Sequence, residues 1–176
     1  FQKSAGFDYT KDQKRSITEI FADLSSGRVM DRLLSGDVGF GKTEVAMNAL
    51  LAVILDGFQA IFVCPTTLLA TQHYHSMQKR FNEFGINVAK LDGKTSAKEK
   101  TEIKKALEKG DIKLVIGTHS LLEIKTNNTH FTISFKKQNF LIIILKLDGN
   151  YNDRYSNFYN GGVYGAIFRD KNLEFN

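Results

Sequence analysis

Residues 36–43 carry the groups in this chain that are best suited to phosphate chemistry. They match the phosphate-loop (Walker A) pattern G-x-x-x-x-G-K-[ST] with Gly36, Asp37, Val38, Gly39, Phe40, Gly41, Lys42 and Thr43. Glycines let the backbone wrap a phosphate without Cβ clashes, so that successive N–H groups point inward as donors. Lys42 would bridge the β- and γ-phosphates, and the Thr43 hydroxyl would bind Mg²⁺. A chance glycine-rich turn is the alternative, but the pattern predicts a site for ATP with Mg²⁺.

The elements around this loop support that interpretation, because the pattern requires a strand before the loop and a helix after it. Apolar runs and amphipathic stretches continue to alternate along the chain. Predicted strands cover residues 32–35, 59–65, 86–91, 112–118 and 140–145, and predicted helices cover residues 10–24, 42–55, 67–84 and 96–110. Strands alternating with helices of this length indicate right-handed βαβ units. We therefore predict an α/β fold with a mostly parallel sheet and helices on both faces, incomplete at its C-terminal end.

The composition limits the class of protein. With 176 residues, 42% apolar and 24% charged, the chain is long enough for one globular core. We expect no membrane span and no signal peptide, since no apolar run approaches about 18 residues and the first residues are polar. The single cysteine, Cys64, excludes an internal disulfide and fits a cytoplasmic protein. A net charge of +5 allows a polyanionic partner such as nucleic acid without requiring one.

A longer stretch, from about residue 7 to residue 125, resembles a known family. The block MDRLLSGDVGFGKTEVAMNALLAVILDGFQAIFVCPTTLLATQHYHSMQKRFNEFGINVAKLDG is similar to the first RecA-like motor lobe of the bacterial transcription-repair coupling factors (the Mfd family), in helicase superfamily 2. Glu44 and the second threonine of Pro65-Thr66-Thr67 favour this family over its close relatives, the RecG branched-DNA helicases. The resemblance implies a RecA-like P-loop NTPase lobe of an ATP-driven double-stranded DNA translocase. For the intact parent it also implies RNA polymerase and excision-repair proteins as partners.

The resemblance implies nucleotide contacts outside the loop as well. Gln13 is similar to the adenine-reading glutamine of the family, and Phe7 is placed to stack on the base. However, Thr10 and Gln13 also have the spacing of a capping box, which would satisfy free N–H groups at a helix start. One side chain is not expected to do both jobs. Besides Gln13 and Phe7, the nucleotide-binding residues that we predict are Gly36, Gly39, Phe40, Gly41, Lys42, Thr43 and Glu44.

Two further segments resemble the family's DNA contacts. Thr66 and Thr67 with Gln72 resemble motif Ia, which grips the phosphates of one strand, and Thr118 and His119 resemble motif Ib. A strand that ends at a helix N-terminus presents hydroxyls and free N–H groups to an anion. The alternatives are that Thr66 or Thr67 merely caps its helix and that residues 117–119 form a simple turn.

One motif that the resemblance leads us to expect is missing. A superfamily 2 motor needs an Asp-Glu pair after the last predicted strand, where the Asp holds Mg²⁺ through water and the Glu polarises the attacking water. In this chain Lys146-Leu147-Asp148-Gly149 follows that strand, and no Asp-Glu pair occurs anywhere in the sequence. A second RecA-like lobe, which would supply an arginine finger, is also missing from the sequence. We therefore predict that no catalytic site is intact in this chain.

The composition changes near residue 126. Beyond it the sequence is rich in Asn, Tyr and Phe, and the helical periodicity is lost. We therefore divide the chain into residues 1–125, the N-terminal part of a helicase ATP-binding lobe, and residues 126–176, a divergent tail that is read out of frame or poorly ordered.

Three functions follow from these observations. The first is a fragment of an ATP-dependent DNA translocase or helicase, of the coupling-factor or the RecG type. The second is a stand-alone module that binds nucleotide or DNA without hydrolysis. A small P-loop kinase is the third, but a kinase should have an arginine-rich lid, and the tail contains only Arg154 and Arg169.

Overall fold

The computed structural model of the chain describes residues 1–26, 30–36, 39–118, 121, 140–146 and 164–170. These residues form four α-helices and six strands, preceded by a short 3₁₀ helix at Gln2–Ala5. The helices are α1 (Lys11–Ser25), α2 (Lys42–Leu55), α3 (Thr67–Asn82) and α4 (Ala97–Lys109). The strands are β1 (Met30–Leu34), β2 (Gln59–Cys64), β3 (Val88–Leu91), β4 (Leu114–Thr118), β5 (Phe140–Lys146) and β6 (Tyr164–Asp170).

The predicted elements are confirmed, with ends that differ by one or two residues at most positions. Strand β6 is the exception, because the sequence did not predict it. Its apolar centre, Ala166 to Phe168, is short and flanked by glycine, asparagine and charged residues, so that it carries little periodic signal. Most of the remaining residues from 126 to 176, including Asp148, lie outside the described part of the chain.

The six strands form one sheet in the order β1-β6-β5-β2-β4-β3. Strand β2 is parallel to β4 and β5, and β3 is parallel to β4. Strand β6 is antiparallel to both β5 and β1, so β1 runs in the same direction as β5 and β2. The sheet is therefore mostly parallel, as predicted, and only β6 runs against the others. The carboxyl ends of the other five strands meet at one edge of the sheet.

Helices cover both faces of this sheet. Alternate residues of β2 point to opposite sides, as the two-residue period of a strand requires. Phe62 and Cys64 join a core with the apolar sides of α1, α2 and α3, whereas Ile61 and Val63 join a second core that includes Leu107 of α4. All six residues of β2 are buried. This burial on both faces explains why the strand reads as a continuous apolar run.

Local sequence signals determine where the helices begin. Thr10, Thr66 and Ser96 are the N-cap residues of α1, α3 and α4, and the side chain of each accepts a hydrogen bond from the first turn. On the apolar side of α1, Ile20 and Leu24 are buried, whereas Phe21 is 40% exposed. None of the described helices is both long enough and apolar enough to cross a membrane.

Candidate nucleotide site and nucleic-acid edge

The phosphate loop follows β1 and ends at the first turn of α2. Gly39 and Gly41 have left-handed backbone conformations, with φ of 85° and 72°, which favour glycine. Gly41 occupies the N-cap position of α2 and has no side chain with which to cap it, unlike the N-cap residues of the other three helices. The N–H groups of this first turn and the positive end of the helix dipole therefore suit an anion.

The polar side chains predicted to hold phosphate and metal lie at the same helix start. The Lys42 ammonium donates a hydrogen bond to the carbonyl oxygen of Gly36, at the other end of the loop. Thr43 is the next residue and is partly buried, and Phe40 is 67% exposed. The Lys42 side chain therefore joins the two ends of the loop.

Gln13 forms the capping box and also contacts the loop. Its Oε1 accepts from the Thr10 N–H at 2.9 Å, and its own N–H donates to the Thr10 hydroxyl oxygen at 3.2 Å. Its Nε2 donates to the Phe40 carbonyl at 3.0 Å. The capping-box alternative is confirmed. The adenine contact stays a prediction, and it would require Gln13 to exchange these bonds for bonds to the base.

Phe7 stands beside the loop-facing end of α1 and is 53% exposed. Its ring centroid lies 6.0 Å from that of the buried Tyr9, with the two planes tilted by 55°. An exposed aromatic face backed by a buried ring is suited to stacking on a flat apolar ligand.

The Glu44 side chain points into the protein. Its carboxylate accepts a hydrogen bond from the Tyr9 hydroxyl on one oxygen and forms an ion pair with Arg80 on the other. Asn48 Nδ2 donates to the Tyr9 hydroxyl oxygen at 2.9 Å. Glu44 as a whole is only 6% exposed. Any part that Glu44 plays at the nucleotide site is therefore indirect, because both carboxylate oxygens already have partners in the interior.

The guanidinium group of Arg80 extends this network to the start of the chain. One guanidinium nitrogen donates to the Phe1 carbonyl at 3.2 Å and to the Ser4 hydroxyl at 3.3 Å, and the guanidinium carbon lies 4.0 Å from the centroid of the Phe1 ring. Burial raises the pKa of Tyr9, with the neighbouring Glu44 acting in the same direction. The phenol therefore remains protonated and able to donate.

The sequence does not mark Tyr9, Asn48 or Arg80 as members of this network. Arg80 is 36 positions from Glu44, and Tyr9 is 35 positions from it, so no local spacing signals the contacts. A buried glutamate directly after a phosphate loop was the one available signal, since a carboxylate placed in an apolar helix face needs a partner.

Of the predicted DNA-contact residues, Thr66 and Thr118 lie at the carboxyl edge of the sheet. Cys64 at the end of β2 pairs with Thr118 at the end of β4, so the segments that follow these strands are neighbours. Thr66 is exposed and caps α3 by accepting from the Leu69 N–H at 3.2 Å, which confirms the capping alternative. Thr67 begins the helix and Gln72 is exposed on it. His119 lies outside the described residues.

Gly117 is required at its position by close packing. A Cβ there would collide with the backbone carbonyl of Leu91 and with the side chain of Leu121. Glycine at this position therefore lets the Leu91 carbonyl and the Leu121 side chain pack directly against β4.

The phosphate loop and the DNA-contact segments lie on the same edge at some distance from each other. In the strand order β6 and β5 separate β1 from β2, which amounts to three strand spacings, or about 14 Å. Two ligands could therefore bind this edge side by side without competing for the same residues. Among the described residues, no group of three or more His, Cys, Asp or Glu side chains is arranged to hold a metal ion. Thr43 fits Mg²⁺ only as a hydroxyl ligand that acts together with a nucleotide.

This chain is similar to known proteins over most of its length. A family model described as DEAD/DEAH box helicase matches residues 10–143. The transcription-repair-coupling factor of Helicobacter pylori strain J99 is 51% identical over 140 residues, and that of Bacillus subtilis strain 168 is 47% identical over 122 residues. These alignments cover 80% and 69% of this chain. The ATP-dependent DNA helicase RecG of Thermotoga maritima is 47% identical over 131 residues, or 74% of the chain.

A solved structure, described as RecG bound to a three-way DNA junction, is similar with a TM-score of 0.64 and 45% identity over 70% of this chain. The chain spans 14% of the length of the Helicobacter relative, 10% of the Bacillus relative and 16% of the Thermotoga relative, and 17% of the solved chain. The family match ends at residue 143, beyond the boundary at residue 125 that composition predicts, and the position of that boundary stays a prediction.

Proposed function

Since the chain belongs to the DEAD/DEAH box helicase family, we propose that it is the nucleotide-binding part of the first motor lobe of an ATP-dependent double-stranded DNA translocase. The observation that carries this proposal is the loop at the start of α2. Two left-handed glycines, a helix start without a side-chain cap and the Lys42 ammonium meet there. This combination suits the phosphates of ATP.

In this proposal the loop residues bind the phosphates through backbone N–H groups and Lys42, and Thr43 supplies a hydroxyl to the Mg²⁺ that accompanies the nucleotide. Phe7 stacks on the adenine, and Gln13 exchanges its bond to Phe40 for bonds to the base edge. The bond between Gln13 and Phe40 supports this part of the proposal, because the Gln13 amide already contacts the loop.

The same edge of the sheet would hold DNA. Thr66, Thr67, Gln72, Thr118 and His119 would contact phosphates rather than base edges, so binding would be weak, independent of sequence and strongly dependent on salt. The parallel pairing of β2 with β4 supports this, because it brings the two described segments together. In an intact parent, RNA polymerase and excision-repair proteins would be further partners, as for transcription-repair coupling factors.

A different function would be a stand-alone module that binds nucleotide or DNA and hydrolyses nothing, and a RecG-type fragment would share the whole site. The coupling-factor interpretation is favoured by the resemblance of Glu44 and of Pro65-Thr66-Thr67 to the coupling-factor pattern.

The test of nucleotide binding is calorimetry of MgADP and MgATP with the 176-residue chain and its Lys42→Ala variant. Wild type should bind both nucleotides, and Lys42→Ala should weaken binding at least about tenfold, as expected for loss of a charge-assisted contact to phosphate. Lys79→Ala, an exposed lysine in the last turn of α3, is the matched control and should bind as wild type does. Equal affinities of wild type and Lys42→Ala would contradict the proposal.

A further inference from the structure

The contacts of Tyr9, Glu44 and Arg80 join the segment before α1, the first turn of α2 and the last turn of α3. Tyr9 belongs to the segment that carries Phe7, Glu44 directly follows Thr43, and Arg80 lies in the last turn of α3. We propose that Tyr9 and Glu44 are positioning residues, which hold the base-stacking segment at a set distance from the phosphate loop and thereby determine how strongly the adenine adds to phosphate binding. This inference rests on the proposed nucleotide site and assigns it two residues that touch no ligand.

The two carboxylate oxygens of Glu44 have different partners. The Tyr9 hydroxyl donates to Oε1, and Arg80 is paired with Oε2. The side chains of Arg80 and Glu44 are 12% and 7% exposed, so the pair lies in a medium that screens it poorly. A carboxylate held by a buried guanidinium is a fixed acceptor, and the hydroxyl that donates to it is fixed in turn.

The Tyr9 ring transmits this position to Phe7. The two rings are in tilted contact, and Asn48 of α2 donates a second bond to the Tyr9 hydroxyl oxygen at 2.9 Å. The stacking residue is thus braced against the helix that starts at Lys42. Residues 7–13 also contact the loop through the exposed hydrogen bond from Gln13 to Phe40. Base binding is proposed to break that bond, so it cannot replace the contact made by the Tyr9 hydroxyl.

Burial of the ion pair also argues for a role other than stability. Two buried charges seldom stabilise a fold more than apolar residues of similar volume would, because desolvation offsets their attraction. The Nε atom of Arg80 is buried without a hydrogen-bond partner, a further cost of this arrangement. Burying this network costs free energy, and its hydrogen bonds have defined directions. It is therefore suited to fixing the position of the segment that carries Phe7 relative to the phosphate loop.

The experiment compares two ligands on the wild-type chain and on Tyr9→Phe, which removes only the hydroxyl. MgADP carries a base, whereas magnesium pyrophosphate does not, and both affinities are measured by displacement of a fluorescent ADP analogue. We expect Tyr9→Phe to weaken MgADP about three- to tenfold, as for loss of one hydrogen bond, and to leave pyrophosphate affinity within about twofold. The double variant Glu44→Met/Arg80→Met, which removes the acceptor of the Tyr9 hydroxyl and leaves no buried charge unpaired, should show the same selective loss.

Tyr74→Phe is the matched control, because it removes a hydroxyl that contacts Gln78 on α3 at 2.8 Å, outside the proposed site. It should leave both affinities unchanged. Equal losses of MgADP and pyrophosphate in Tyr9→Phe, or no loss of either, would overturn the inference while leaving the nucleotide site intact. Failure of wild type to bind either ligand in a Lys42-dependent way would instead contradict the proposed function itself.

Discussion

At the scale of single residues, Gly41 joins backbone conformation to ligand binding. Its φ of 72° favours glycine, and a Cβ at this position would collide with Nε2 of Gln13. We expect Gly41→Ala to lower the free energy of unfolding by about 1–2 kcal/mol through backbone strain, with an additional loss from the displaced Gln13. It should also weaken MgADP binding. Urea denaturation and calorimetry measure the two effects.

Gly57→Ala is the control for Gly41→Ala. Gly57 has a φ of 93°, but a Cβ there would meet no atom within 4 Å. This variant should show the strain alone and bind MgADP as wild type does. If both alanine variants lost the same stability and the same affinity, the contact between Gln13 and the loop would have no consequence.

Cys64 illustrates the effect of burial on chemistry. Burial raises the pKa of its thiol to about 12. At about pH 8 the native thiol should therefore react with a disulfide reagent far more slowly than in the urea-unfolded chain. The thiol of the unfolded chain ionises at a lower pH than the buried thiol, so a rise in pH above that point lowers the free energy of unfolding. The contribution of Cys64 to the free energy of unfolding is complete below pH 9.0 and is lost as the pH rises towards about 12. Rapid labelling of the native chain would show that this strand end opens readily.

At the scale of elements, the start of α3 serves two purposes that one substitution can separate. Thr66 caps the helix, and it is also proposed to contact DNA phosphate. Thr66→Ala should destabilise the chain by about 1 kcal/mol, whereas Thr66→Asp should keep the cap, because aspartate is a good N-cap residue. Yet the added negative charge should repel phosphates and weaken duplex binding in fluorescence anisotropy. Full stability with lost DNA affinity is the expected signature of Thr66→Asp.

The control for this pair of variants is Thr10→Asp, which makes the same change at the N-cap of α1. In the absence of nucleotide it should leave DNA affinity unchanged. Equal weakening by Thr66→Asp and Thr10→Asp would mean that only net charge matters, and unchanged binding by both would remove Thr66 from the DNA site.

At the scale of the whole molecule, we predict that the 176-residue chain binds nucleotide but does not hydrolyse it. The sequence contains no Asp-Glu pair with which to hold Mg²⁺ and orient the lytic water. Phosphate release with and without duplex DNA should equal the buffer rate. DNA-stimulated release that is abolished by Asp148→Ala would contradict this prediction, because Asp148 would then replace the missing motif aspartate.

Local signals in the sequence were sufficient for the phosphate loop and for most elements. The G-x-x-x-x-G-K-[ST] pattern, the capping box of Thr10 and Gln13 and the stop at Gly110 each depend on residues a few positions apart. Such features can be recognised from the sequence without knowing how the helices and strands pack against each other. For the same reason the family could be identified from contiguous residues, and the comparisons confirm it.

Only the tertiary structure decided which distant groups meet. The sequence did not reveal that Glu44 faces Arg80 and Tyr9, that β6 lies between β1 and β5, or that Thr66 and Thr118 share an edge. These contacts join residues tens of positions apart, and they arise from helix packing and strand order rather than from spacing along the chain. The sequence alone determined which chemical groups the site contains. Packing determined that the Glu44 carboxylate points into the protein, towards Tyr9 and Arg80.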